Sequence, residues 1–229
     1  MAAFGRKRKM SGIRSKDHGA KRRLILESAA NLFAARGFTA TSVAQISAAC
    51  NASKAWIYHY FPAKEDILFA LLKEFVDEVR NGLMYAAQQD LPPEASLKLF
   101  IEKALNIYAQ YRINYPVLFN EMVFLPLEQQ EQIRAIENEP VDALESILIR
   151  LNPAIASGTD LKRSLTYIAF GTINATSNWY NPEGNIRIDR LANMIHATVL
   201  AGVMIVSPEK HPWKASQPNE NLCHNAATV

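Results

Sequence analysis

Between Gly37 and Pro62 the chain is punctuated so closely that only short helices fit, and this spacing constrains the fold more than any other feature. Just upstream, Ile25, Ala29, Leu32 and Phe33 recur at i, i+4, i+7 and i+8 within Lys21 to Arg36, one face of an amphipathic helix that Gly37 stops. Thr41-Ser42 then offers an N-cap to a short helix carrying Val43 and Ile46, ending at Cys50-Asn51. Asn51 suits a tight interhelical turn, because asparagine is the non-glycine residue that best tolerates a left-handed backbone. Ser53 caps a third short helix through Phe61, and Pro62 ends it by pushing the residue before it out of the helical region. Three helices thus occupy about forty residues.

The charge is distributed as unevenly as the punctuation. The 229-residue chain carries a net charge of +3, yet residues 1–62 hold 11 Lys and Arg against 2 Asp and Glu, a net of +9, and residues 63–229 hold 14 against 20, a net of −6. Such asymmetry points the first quarter toward a polyanion. Residues 1–18, rich in Gly, Ser and basic residues without apolar periodicity, read as a disordered basic arm that adds nonspecific affinity through Arg6 to Lys9.

The remainder predicts longer helices: Lys64 to about Gln88, Glu94 to about Arg112, a shorter one from Pro116, one from Pro126 to Leu151 kinked at Pro140, Thr159 to about Trp179, and about Ile188 to Val206. With 32 Ala, 10 Val and 9 Gly the composition favours helix over a turn-rich β fold, so the expected class is all-α. The expected organisation is the arm at 1–18, a three-helix domain at 19–63, a larger helical domain at 64–206 and a flexible tail, rich in Pro, Asn and Gln, at 207–229.

Several function classes fall away. Cys50 and Cys223 lack the spacing of a zinc site or a disulfide framework, no apolar region follows the basic N-terminus as in a signal peptide, and the longest apolar stretch, Ala197 to Val206, is short for a bilayer span. A cytoplasmic protein without a membrane partner is therefore expected. His18, His59, His196, His211 and His224 show no metal-ligand spacing, and neither a Gly-rich phosphate loop nor a nucleophile elbow appears, so neither catalysis nor a cofactor is expected.

Two short helices joined by a tight turn, the second one capped and basic, describe a helix-turn-helix that lays its second helix in the DNA major groove. On the third helix of the chain, Ser53, Ile57, Tyr60 and Phe61 fall on one side, while Ala55, Tyr58 and His59, flanked by Lys54 and Trp56, fall on the other. An ammonium, a phenol, an imidazole and an indole on solvent make an odd surface unless something lies against it. An architectural DNA protein or a helical enzyme with a merely basic N-terminus are the competing readings; the acidic, aromatic-rich remainder disfavours the first.

From Phe33 through Gly37-Phe38, Thr41-Ser42-Val43 and Ile46 to the run Ser53 to Glu65, the sequence resembles the TetR family of bacterial repressors over roughly residues 20–70. The resemblance implies a three-helix DNA-binding domain followed by a helical domain that dimerises and binds a small effector. It assigns Lys54, Ala55 and Trp56 to base edges of a double-stranded operator, and Thr41, Tyr58, Tyr60 and Lys64 to phosphates, with His59 a further phosphate candidate. Two departures stand out: Asn51-Ala52 replaces the family's usual Gly-Val, and Trp56 occupies a position where a small or hydroxylated residue is commoner. Trp56 either packs on a thymine methyl or sugar, or shields the turn.

One short helix reads few base pairs, so a homodimer on a pseudopalindrome, its halves about one DNA turn apart, is expected. Leu161, Leu165, Ile168 and Thr172 form one stripe and Ile195, Val199 and Gly202 another; either they are the dimer interface, as the resemblance favours, or they are core. Phe100, Tyr108, Tyr111, Phe119 and Asn120, with Phe170, Asn174, Asn178 and Trp179, are the candidate effector-binding residues, against the plain alternative that helical aromatics are core. Tyr111 to Pro126 and the stretch from Phe170 to Gly184, with its Trp179-Tyr180-Asn181-Pro182-Glu183-Gly184 element, resemble the TetR branch that senses acyl-CoA or aryl-CoA thioesters, including phenylacetyl-CoA regulators. That branch implies a thioester tail in an apolar chamber and a nucleotide near basic residues, for which Arg112, Arg134 and Lys162 are candidates.

Overall fold

A computed structural model describes residues 5–157 and 159–206, with side chains described from His18 onward except at Thr159. Among these residues the structure is α-helical without strands: α1 (Gly5–Arg36), α2 (Val43–Ala49), α3 (Lys54–Tyr60), α4 (Lys64–Ala87), α5 (Pro93–Gln110), α6 (Asn114–Glu121), α7 (Leu127–Leu151), α8 (Thr159–Trp179) and α9 (Ile188–Ile205). Short 3-10 turns at Met122–Phe124 and Pro153–Ser157 complete the path. Residues 1–4 and the expected tail at 207–229 lie outside the described residues.

The first three helices end where local chemistry ends them. Ser42 accepts the Gln45 backbone N–H at 3.3 Å while the Gln45 side chain accepts the Ser42 N–H at 2.7 Å, a reciprocal box that satisfies two orphan donors of α2. At the other end Asn51 takes φ 49°, so that its own N–H reaches the Ala48 carbonyl at 3.0 Å and the Ala52 N–H reaches the Ser47 carbonyl at 2.9 Å. These paired bonds form a Schellman cap with asparagine in the left-handed position. Ser53 accepts the Trp56 N–H at 3.2 Å and starts α3. Gly37, at φ 80°, does for α1 what Asn51 does for α2.

One difference from expectation concerns the basic arm. Helix α1 begins at Gly5, within the stretch expected as a basic arm. Arg, Lys and Met are good helix formers and no proline interrupts them, so the backbone ladder runs upstream of the apolar stripe.

The larger domain is built around α5, whose Leu97, Phe100, Ile101 and Ala104 are fully buried, and α4, α7, α8 and α9 pack around it. Helix α7 runs on through the buried Pro140. The Asn152 amide that ends α7 donates to the Val203 and Val206 carbonyls at 2.7 and 2.9 Å, fastening the end of α9. The two domains share one continuous apolar core, from Ile25 and Phe33 through Ile57 and Phe61 to Phe75 and beyond. Arg22 adds an ion pair from α1 to Glu74 of α4 and lies over the Phe61 ring at 5.4 Å.

Candidate functional site

Helix α3 separates its faces as the periodicity requires. Ile57 and Phe61 are buried in the core, whereas Lys54, Ala55, Tyr58 and His59 are exposed. The bulky Tyr58, 49% exposed, lacks the apolar cover that its ring would take in a core position. Lys54 and Tyr58 border a groove of about 410 Å³ whose other walls are Thr39 to Ala44 and Lys64. The structure thus brings Thr41, Lys54, Tyr58 and Lys64 together and leaves Ala55 and His59 on the adjoining open face.

Four of the expected DNA-contacting residues have partners within the protein. Thr41 is buried at the groove wall, and its hydroxyl donates to the Gly37 carbonyl at 2.8 Å. Lys64 donates to the carbonyls of Phe38 and Thr41 at 2.7 and 2.8 Å, with its ammonium 4.1 Å from the centre of the Phe38 ring. That makes Lys64 a staple across the α1–α2 connection. Tyr60 is half-buried between His18, at 4.6 Å, and Trp56, at 5.2 Å. Trp56 is itself half-buried, its ring packed on Tyr60. Sequence periodicity could not separate these cases, because the partners come from α1 and from the loop before α2.

A second cavity, of about 310 Å³, opens between α4, α5, α6, α7 and α8. Of the expected effector residues it is lined by Tyr108, Phe119, Phe170 and Asn174. Tyr108 is buried and its hydroxyl donates to Asn174 Oδ1 at 2.6 Å. Burial is the main cause that raises the Tyr108 phenol well above its ordinary range and also raises that of Tyr115, so both stay neutral hydrogen-bonding groups. The other candidates lie elsewhere. Phe100 is core, packed edge-on to Phe170 at 6.4 Å. Tyr111 packs at a tilt against Phe75, ring centres 5.7 Å apart, and borders a different cleft with Arg23, Glu74 and Glu78. Asn120, Asn178 and Trp179 are exposed away from the chamber.

The walls that sequence reasoning missed come from α4, with Phe75, Val76 and Val79, and from α7, with Glu137 and Pro140. Arg134, on the same α7 face and exposed, is the one of the three basic candidates that borders the chamber; Lys162 is paired with Glu145 at 3.5 Å. The signal available was the pair Arg134 and Glu137 set between the apolar residues Ile133 and Pro140 at helical spacing.

Phe38, next to Thr39 of the groove wall, is tied to the end of α6. Its N–H donates to Glu121 Oε2 at 3.1 Å, its ring stacks on Phe124 at 5.6 Å, and its carbonyl takes the Lys64 ammonium. Glu121 ends α6, the helix whose Leu118 and Phe119, followed by Met122, line the chamber.

Residues 25–71 match the family described as bacterial regulatory proteins, tetR family, and residues 90–203 match a tetracyclin repressor-like C-terminal domain. A TetR-family transcriptional regulator from Bordetella parapertussis is 30% identical, with a TM-score of 0.75 over 81% of this chain and 96% of that one. The chain belongs to the TetR family. The transcriptional regulator RutR of Escherichia coli is 32% identical over 103 residues, which is 45% of this TetR-family chain and about half, 48%, of RutR's length. The structure of AibR in complex with isovaleryl coenzyme A and operator DNA shares the fold, with 24% identity and a TM-score of 0.68 over 78% of this chain and 97% of that one. RutR and the Bordetella protein are both described as transcriptional regulators.

In this TetR-family chain α8 and α9 leave an apolar face uncovered. Ile168 is 65% exposed, Met194 54% and Ile205 79%, and the small residues Gly171, Ala175 and Gly202 are exposed beside them. Of the expected interface residues, Ile168 and Gly202 lie on this face, and Leu161, Leu165 and Thr172 are half-buried at its edge. Ile195 and Val199 are buried within the protomer, a correction that follows from α9 packing on α5. Helix α9 as a whole is long and apolar enough, by length and composition, to cross a membrane, which the shorter run Ala197 to Val206 had not suggested.

Proposed function

We propose that the chain is a ligand-responsive transcriptional repressor, a homodimer that holds a pseudopalindromic operator through α3 and releases it when a CoA thioester places its acyl or aryl group in the chamber. The observation that carries the DNA half of this reading is the face of α3, where Lys54, Ala55, Tyr58 and His59 are exposed around a buried Ile57. Lys54 and Ala55 meet base edges, and Tyr58 and His59 meet phosphates, so the first pair supplies sequence and the second affinity. The effector half is supported by the apolar chamber with a few convergent polar groups and by the likeness of fold to AibR, whose structure holds isovaleryl coenzyme A and operator DNA. A chamber of about 310 Å³ has room for an acyl or aryl group and leaves the nucleotide outside, near Arg134.

Release follows from the junction at Phe38. A ligand that binds better when α6 is displaced shifts Glu121, which holds the Phe38 N–H, and with it the stapled connection that sets the angle of the helix-turn-helix. In a dimer that shift alters the distance between two recognition helices. The second copy covers the α8–α9 face, whose exposed isoleucines and small residues suit close helix packing.

The expected result for Lys54→Ala is a changed sequence preference: a loss of about 1 to 3 kcal/mol on the best operator and a smaller loss on random DNA. Fluorescence anisotropy on both DNAs measures it. Equal losses on the two would remove Lys54 from the base-reading role.

A further inference from the structure

We infer that Glu137 makes the chamber a receptor for neutral acyl derivatives and a barrier to the corresponding free carboxylic acids, a selectivity that rests on the effector role proposed above. Glu137 and Arg134 sit three residues apart on one face of α7, and both line the chamber. Their positions along it differ. Arg134 is exposed, its guanidinium donating to the Gln130 side chain at 3.1 Å, whereas Glu137 is half-buried with Pro140 behind it and Phe75 and Val79 among the apolar walls. The cation therefore belongs to the rim and the carboxylate to the interior.

That order sets the polarity of what fits. A free acid entering tail-first or head-first brings a second carboxylate into a space where Glu137 already lacks full hydration, and the repulsion there is screened far less than in water. Burial is the chief influence holding the Glu137 carboxyl above its ordinary value, with Arg134 opposing it. A thioester or amide carbonyl brings no charge. It also finds a donor: because the Tyr108 hydroxyl donates to Asn174 Oδ1, the Nδ2 hydrogens of Asn174 are left for a ligand oxygen. Anionic groups outside the chamber meet Arg134 at the rim. A ligand neutral within and anionic without is the thioester of an acid with a phosphorylated carrier, so the protein answers to the product of acid activation and not to the acid.

The test is calorimetric titration of the full chain with phenylacetamide, phenylacetate and phenylacetyl-CoA, for the wild type and for Glu137→Gln and Glu137→Met, each first checked by thermal melting. The wild type is expected to bind the amide at least about tenfold more tightly than the acid, and both variants to bring that ratio to within about threefold by gaining affinity for the acid. Equal binding of acid and amide by the wild type, or a ratio that neither substitution moves, would overturn the inference while thioester binding keeps the effector reading intact. Failure of the wild type to bind phenylacetyl-CoA, isovaleryl-CoA or either small ligand would overturn the effector reading, and this inference with it.

Discussion

Lys64→Ala is expected to weaken operator binding without flattening its salt dependence. The ammonium donates to two carbonyls, of Phe38 and Thr41, and lies over the Phe38 ring, so its loss leaves those carbonyls short of a charged donor and loosens the connection that presents α2 and α3. Removing a charged hydrogen-bonding group costs about 1.5 to 3 kcal/mol in all. For a chain of this size each kcal/mol corresponds to roughly 2 to 4 °C, so a melting temperature lower by about 3 to 12 °C is expected. A lysine on a phosphate behaves differently: its removal lowers the slope of log affinity against log salt by about one and leaves the melting temperature in place. Anisotropy titrations at several salt concentrations, with a thermal melt, separate the two. A lowered slope with an unchanged melt would return Lys64 to the phosphate-contacting set.

The double substitution Ile168→Glu with Ile205→Glu is expected to convert a dimer into a folded monomer that no longer holds the operator. Both side chains are exposed in the protomer, at 65% and 79%, so the change costs little in the fold of one chain. Across a two-fold axis it places carboxylates where apolar surfaces meet, and their desolvation opposes association. In the proposed dimer each recognition helix would read one half-site, and tethering two typically multiplies affinity by about a hundredfold to ten-thousandfold, so a loss of that order is expected. Analytical ultracentrifugation and anisotropy measure the two effects. A wild-type chain that sediments as a monomer while binding a palindromic operator tightly would contradict the assignment. Partition of the wild type into lipid vesicles would assign the α9 face to a bilayer instead.

What the sequence made legible is governed by locality. The helix ends at Ser42, Asn51 and Ser53 are local decisions of side chain and backbone, and the structure places each where the residue types require. The buried side of α3 was legible for the same reason, because a 3.6-residue period fixes it without reference to the rest of the chain. Thr41 and Lys64 were not legible: whether a hydroxyl or an ammonium faces phosphate or a carbonyl depends on the loop at Gly37 and Phe38 folding back on it. In α9 the apolar residues run nearly all round, so periodicity alone did not decide between Ile195 and Val199, which pack on α5, and Met194 and Ile205, which face outward. The aromatic density around Tyr108 and Phe170 marked the chamber's general place, but its α4 and α7 walls depend on how five helices meet. The extension of α1 to Gly5 follows from helix propensity where low apolar content had suggested disorder.

Glu121 shows how a tertiary link can carry function. It ends the chamber-lining α6 and holds the backbone of Phe38 beside the DNA-binding helices. The same carboxylate therefore ties the helix that lines the chamber to the backbone that precedes α2.

The central claim is that one chain binds a palindromic operator and lets it go when the chamber fills. The direct measurement is footprinting of the DNA upstream of its own gene at moderate salt, with and without phenylacetyl-CoA and isovaleryl-CoA. The account predicts a protected pseudopalindrome with half-sites about one helical turn apart, and loss of that protection as a thioester is added. Absence of a protected palindromic site, or protection that persists through the thioester series, would contradict it.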